Sequence, residues 1–87
     1  MNVLVVYRRE SESGREVEEY LRDFEHRTGQ KLEVVDPDSR DGATLCRTYD
    51  IVEYPTIIAT TSDGQVRGMW RGVPLPTIDE VSYYAIN

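Results

Sequence analysis

A proline stands at the mouth of a β-branched run in Tyr49-Asp50-Ile51-Val52-Glu53-Tyr54-Pro55-Thr56-Ile57-Ile58-Ala59, and its placement constrains the whole chain. Proline has no N–H to give a ladder, so Pro55 can begin a strand but cannot lie in the middle of one. Its ring pushes Tyr54 out of the helical region, so the chain turns extended there. Just upstream, Leu45, Cys46 and Tyr49 read as the end of a helix. The spacing predicts a helix, a short connection, and then a buried strand from Thr56.

The other segments arrange themselves around that pivot. Val3 to Tyr7 is a continuous apolar run, the mark of a strand covered on both faces. After the polar connection Arg8 to Glu12, Ser13 and Glu16 have capping-box spacing. Val17, Tyr20, Leu21 and Phe24 then fall at i, i+3, i+4 and i+7, one stripe of a helix that Gly29 is placed to stop. Leu32 to Val35 reads as a second strand, ended by Asp36-Pro37-Asp38, and Ser39 or Asp41 is placed to cap a short helix through Tyr49. Beyond the strand Thr56 to Thr60, Ser62-Asp63-Gly64 signals a hairpin turn. Gln65 to Arg71 alternates, with Val66, Gly68 and Trp70 on one face and Arg67, Met69 and Arg71 on the other, and the outward arginines suit an edge strand. Thr77 and Glu80 form a second capping pattern, before a helix with Ile78, Val81 and Ala85 inward and Tyr83 and Tyr84 beside them. The expected architecture is α/β: β-α-β-α-β-β-α, a four-stranded mixed sheet with helices on both faces.

At 87 residues the chain is expected to form one domain spanning 1–87. The formal net charge of −6 argues against nucleic acid and against adsorption to an anionic membrane. Val3 to Val6 is too short for a signal-peptide core and no window approaches a membrane span, so a cytoplasmic protein is expected. The one cysteine, Cys46, can form no intramolecular disulfide and no C-x-x-C pair. No metal or other cofactor is expected. His26 has no partner ligand near it in sequence, and Asp36, Asp38, Asp41 and Gly42 miss the calcium-loop spacing.

Several of these features, in this order, resemble the thioredoxin-like superfamily of thioredoxins and glutaredoxins. Tyr49, Ile51, Pro55 and Thr56 match the pattern Y-x-I-x-x-x-P-T, and Val34-Val35-Asp36 is similar to the family's second strand ending in aspartate. Asp63-Gly64 sits where thioredoxins turn their hairpin, and Gly72 matches the glycine that follows the last strand. The resemblance covers essentially the whole chain. It implies a cis Tyr54–Pro55 bond facing the family's active site.

That active site is where the chain departs from the family. The resemblance places the two family cysteines at Ser11 or Glu12 and at Gly14 or Arg15, and none of these is a thiol. A serine hydroxyl has no accessible anionic form near neutral pH and cannot exchange disulfides. The family's buried aspartate would fall at Val5 or Val6. The glutathione anchor of glutaredoxins has no counterpart in Gly72-Val73-Pro74-Leu75, and Arg8 and Arg9 read as solvated surface. Cys46, on the inward side of its helix, reads as a small buried hydrophobe.

The expectation is a non-catalytic protein- or peptide-binding module. Its groove, by the resemblance, is made by Tyr54, Pro55 and Thr56, flanked by Ser11, Glu12 and Ser13 and by Gly72 and Val73. The partner is an extended peptide or a protein, and the chain itself a monomer or weak homodimer. Two alternatives stay open: a thiol–disulfide oxidoreductase or peroxidase acting through Cys46, and a self-associating structural domain.

Overall fold

The first strand, β1 (Asn2–Val6), holds the centre of the sheet, because its apolar run can be covered on both sides. In the computed structural model, which describes residues 2–86, it pairs in parallel with β2 (Glu33–Val35) and antiparallel with β3 (Thr56–Thr60). The hairpin partner β4 (Val66–Arg71) completes the order β2-β1-β3-β4, so β2 and β4 are the edges. The parallel pair requires a crossover, supplied by α1 (Gly14–Thr28). Helix α2 (Arg40–Tyr49) joins β2 to β3, and α3 (Ile78–Ile86) follows β4.

Helices cover both faces. On one, Val3, Val5, Ile57 and Ala59 pack with Val17 and Phe24 of α1 and Val81 of α3. On the other, Val6 and Ile58 pack with Cys46 of α2 and with Ile51. All five residues of β3, Thr-Ile-Ile-Ala-Thr, are buried, which accounts for the absence of a polar–apolar alternation. Burial of Ile57 or Ile58 contributes about 1.5–3 kcal/mol.

The helix ends show how local chemistry sets these boundaries. Gly29 takes a left-handed φ of 73° and its N–H reaches the Glu25 carbonyl, stopping α1 where expected. Ser39 is extended and its hydroxyl accepts from the Gly42 N–H at 3.0 Å, capping α2. At α3, Thr77 and Glu80 cap each other's N–H groups, each at 3.2 Å. Ser13 differs: its backbone is already helical (φ −85°, ψ −5°) and its side chain makes no capping bond, so the expected Ser13–Glu16 box does not form.

Met69 packs on the α2 side of the core and Trp70 on the opposite face, as the alternation of β4 expects. Two further details depart from the expected pattern. Tyr7 and Leu32 lie outside β1 and β2, though both are buried. Tyr83 stands 67% exposed.

Candidate functional site

Because β1 and β2 run parallel, the chain leaves both at the same end of the sheet. The loop after β1 and the turn after β2 are thereby brought together. Arg8 crosses between them: its Nε donates to Asp38 Oδ2 at 2.9 Å and its Nη2 to Oδ1 at 3.1 Å. This paired geometry suits a planar guanidinium and a carboxylate. The hydrogen bond from Arg8 holds the Asp38 carboxyl below its ordinary range, and Asp38 raises Arg8 in turn.

The Arg8 guanidinium also lies 4.7 Å from the centre of the Tyr54 ring, a cation–π distance. Arg8 thus links the β1 loop to the Tyr54-Pro55-Thr56 segment. Arg8 is exposed, as expected of a solvated arginine, and makes both contacts at the surface. The Tyr54 hydroxyl donates to Cys46 Sγ at 3.9 Å. Burial, then that contact with Cys46, pushes the Tyr54 phenol up. Cys46 itself is 8% exposed, within the core that α2 covers.

The Tyr54–Pro55 peptide bond is cis, as is Val73–Pro74. The Pro55 carbonyl accepts from the Gly72 N–H at 2.7 Å, and Thr56 Oγ1 donates to the Glu53 carbonyl at 2.5 Å. Gly72 takes a left-handed φ of 71°, which favours glycine, and a Cβ there would meet only the movable end of the Glu53 side chain. Among the described residues, no backbone partner takes the Tyr54 N–H or C=O. The ladder between β3 and β4 begins only at the pair Thr56–Arg71. Exposed apolar side chains stand near this segment, Val52 at 77% and Val73 at 53%.

Of the residues singled out from sequence, Tyr54, Pro55, Thr56, Gly72 and Val73 gather in this way. Ser11 joins them indirectly, since its N–H and hydroxyl both bond the Arg8 carbonyl, at 3.1 and 2.7 Å. Glu12 and Ser13 lead into α1, and no hydrogen bond or ion pair ties their side chains to the proline segment among the described residues. Gly14 is packed so closely against the Arg9 carbonyl that a Cβ has no room. A cysteine substituted at Gly14 would therefore require the Arg9 backbone to shift.

Two concavities adjoin the loop. One of about 600 Å³ lies between Tyr7–Ser11 and Val34, Asp36 and Asp38, outside the carboxyl ends of the parallel strands. Ligands of open α/β sheets commonly bind in that position. The other, about 420 Å³, is lined by Arg9, Glu10, Ser11, Arg15, Glu18 and Arg22. Among the described residues, no three His, Cys, Asp or Glu side chains gather to hold a metal ion. No described helix is long and apolar enough to cross a membrane.

No family model and no curated protein matches the sequence. Among solved structures, thioredoxin 1 from the thermophilic eubacterium Thermosipho africanus is similar over 97% of this chain and 89% of that one, with a TM-score of 0.65 and 12% sequence identity. The fold is thioredoxin-like. At this identity the likeness concerns the path of the chain alone. The order β-α-β-α-β-β-α and the four-stranded mixed sheet belong to that fold. The chain has a single cysteine, Cys46, and no C-x-x-C pair.

Proposed function

We propose that this thioredoxin-like chain is a non-catalytic protein- or peptide-binding module that takes an extended segment beside Tyr54, Pro55 and Thr56. The observation that carries this reading is the unpaired backbone of Tyr54 at the head of a fully buried strand. An incoming strand satisfies that N–H and C=O with its own backbone, the bonding used in β-addition. Val52 and Val73 offer apolar surface to alternate side chains of such a segment. The 600 Å³ concavity next to Arg8 offers space for its continuation.

Disulfide exchange fits this chain less well. It needs an attacking thiolate and a second thiol to resolve the mixed disulfide. Chemistry through Cys46 requires uncovering a thiol that lies 8% exposed. Self-association through β4 is opposed by Arg67 and Arg71 on that edge.

The test is a peptide titration followed by amide NMR. Random twelve-residue peptides are selected against the immobilised protein, and the best are added to the ¹⁵N-labelled chain. The expected result is a saturable shift of the Tyr54 amide, with neighbouring shifts at Gly72, Val73 and Ser11. Binding that leaves Tyr54 unmoved, or insulin-disulfide reduction by the unmodified protein well above the uncatalysed rate, overturns the reading.

A further inference from the structure

The concavity at the start of α1 carries an unusual charge for this chain. Arg9, Arg15 and Arg22 all line it, in a protein whose formal net charge is −6. Among the described residues, the ion pairs are Arg8 with Asp38 and Arg27 with Asp79, so none of these three guanidinium groups is paired. Nor does the cluster serve the helix. Arg15 lies in the first turn of α1, where a positive charge opposes the helix dipole. Arg15 and Arg22 are two turns apart on one face, about 10 Å along the axis. Three residues of an extended chain span about the same distance.

We infer that the segment taken by this module is acidic, and that its carboxylates are received by Arg9, Arg15 and Arg22. This rests on the peptide-binding reading and adds the charge of the partner. The concavity shares Arg9, Glu10 and Ser11 with the larger one beside Arg8, and Arg8 itself lies 4.7 Å from the Tyr54 ring, so the segment held at Tyr54 is within reach of it. Each guanidinium presents a fork of donors that matches a carboxylate. Glu10 and Glu18 on the same wall limit the site to a few negative charges and disfavour a polyphosphate chain.

The peptides selected from the random library supply the test. They are expected to be enriched in Asp and Glu toward one end, and to bind about tenfold more weakly when those residues are replaced by Asn and Gln. Affinity should fall with added salt, since exposed charges are screened. Arg15→Glu and Arg22→Glu should each weaken acidic peptides several-fold. Arg15→Glu should leave the melting temperature equal or higher, which separates lost binding from lost folding. Peptides without acidic bias that still shift the Tyr54 amide overturn this inference and leave the groove reading intact. Acidic peptides indifferent to both substitutions overturn it as well. Selection of no binding peptide at all overturns both readings.

Discussion

Helices α1 and α3 begin with the same kind of pattern, Ser13-Gly14-Arg15-Glu16 and Thr77-Ile78-Asp79-Glu80, and they use it differently. At α3 the threonine hydroxyl accepts from the Glu80 N–H and the glutamate accepts from the Thr77 N–H, each at 3.2 Å. At α1 the serine hydroxyl caps nothing. The difference lies in what precedes each helix. Thr77 follows Pro74-Leu75-Pro76, whose rings favour an extended approach and let the hydroxyl reach forward. Ser13 follows a loop already coiled by Ser11 N–H to Arg8 and Gly14 N–H to Ser11 hydrogen bonds, so its backbone is helical too early. The entry to α1 is set by tertiary contacts instead: Gly14 against the Arg9 carbonyl, and Arg8 anchored on Asp38. One helix start closes itself with its own side chains. The other is set by the coil of the loop before it, which lies at the candidate site.

The strongest way to break this comparison is to disturb the α1 entry at Gly14. Gly14→Ala forces a methyl group against the Arg9 carbonyl and should destabilise the fold by about 2–3 kcal/mol, read by urea unfolding. A near-neutral effect would mean that the coiled loop does not set this helix start. Next comes Thr77→Ala, which removes a working cap and should cost about 1 kcal/mol in the same assay. No loss there would place the stability of α3 in its packing alone.

A smaller, pH-dependent effect concerns the anchor of the α1 loop. Asp38 titrates lower in the folded chain than its ordinary 3.8, because Arg8 donates to its charged form. The contribution of this pair is therefore present above that value and fades as pH falls through and below it. Wild type should lose this part of its stability in acid, and Asp38→Asn should flatten that portion of the profile. An unchanged acid profile in Asp38→Asn would show that the pair does not hold the loop. The smallest effect is expected at Ser13: Ser13→Ala should stay within about 0.5 kcal/mol of wild type, since the hydroxyl caps nothing. A loss equal to that of Thr77→Ala would mean that the two helix starts are alike in solution.

The contrast also shows which parts of the molecule were legible in the sequence. The strand Thr56–Thr60, the stripe Val17, Tyr20, Leu21 and Phe24, and the stop at Gly29 all follow from short-range periodicity and backbone chemistry. These signals need no knowledge of distant residues. The order of elements, together with Tyr-x-Ile and Pro-Thr at their spacing, carried the fold. The contacts around Arg8 are another matter, since Asp38 lies thirty positions along the chain. Asp36-Pro37-Asp38 could be read as the end of a strand, but not as an anchor for Arg8. A signal was nonetheless present: parallel β1 and β2 must release their following loops at one end of the sheet, so charged residues just after each strand tend to meet. The close packing of Gly14 and the free Ser13 hydroxyl had no such signal, because both depend on how the preceding loop coils. Tyr83 was misread as partly inward for a related reason: a short terminal helix has only one face to bury, and Val81 and Tyr84 occupy it.

The central claim is that an extended segment is held by backbone hydrogen bonds at Tyr54. It is tested most directly by an N-methyl scan of a selected peptide, one residue at a time, with affinity measured at each position. Methylation removes a backbone N–H while leaving the side chain in place. If the peptide joins the chain as a strand, N-methylation at the residue facing Tyr54 should weaken binding at least about tenfold, with positions on either side of it tolerant. A scan in which every N-methyl position binds like the parent would contradict backbone recognition at Tyr54.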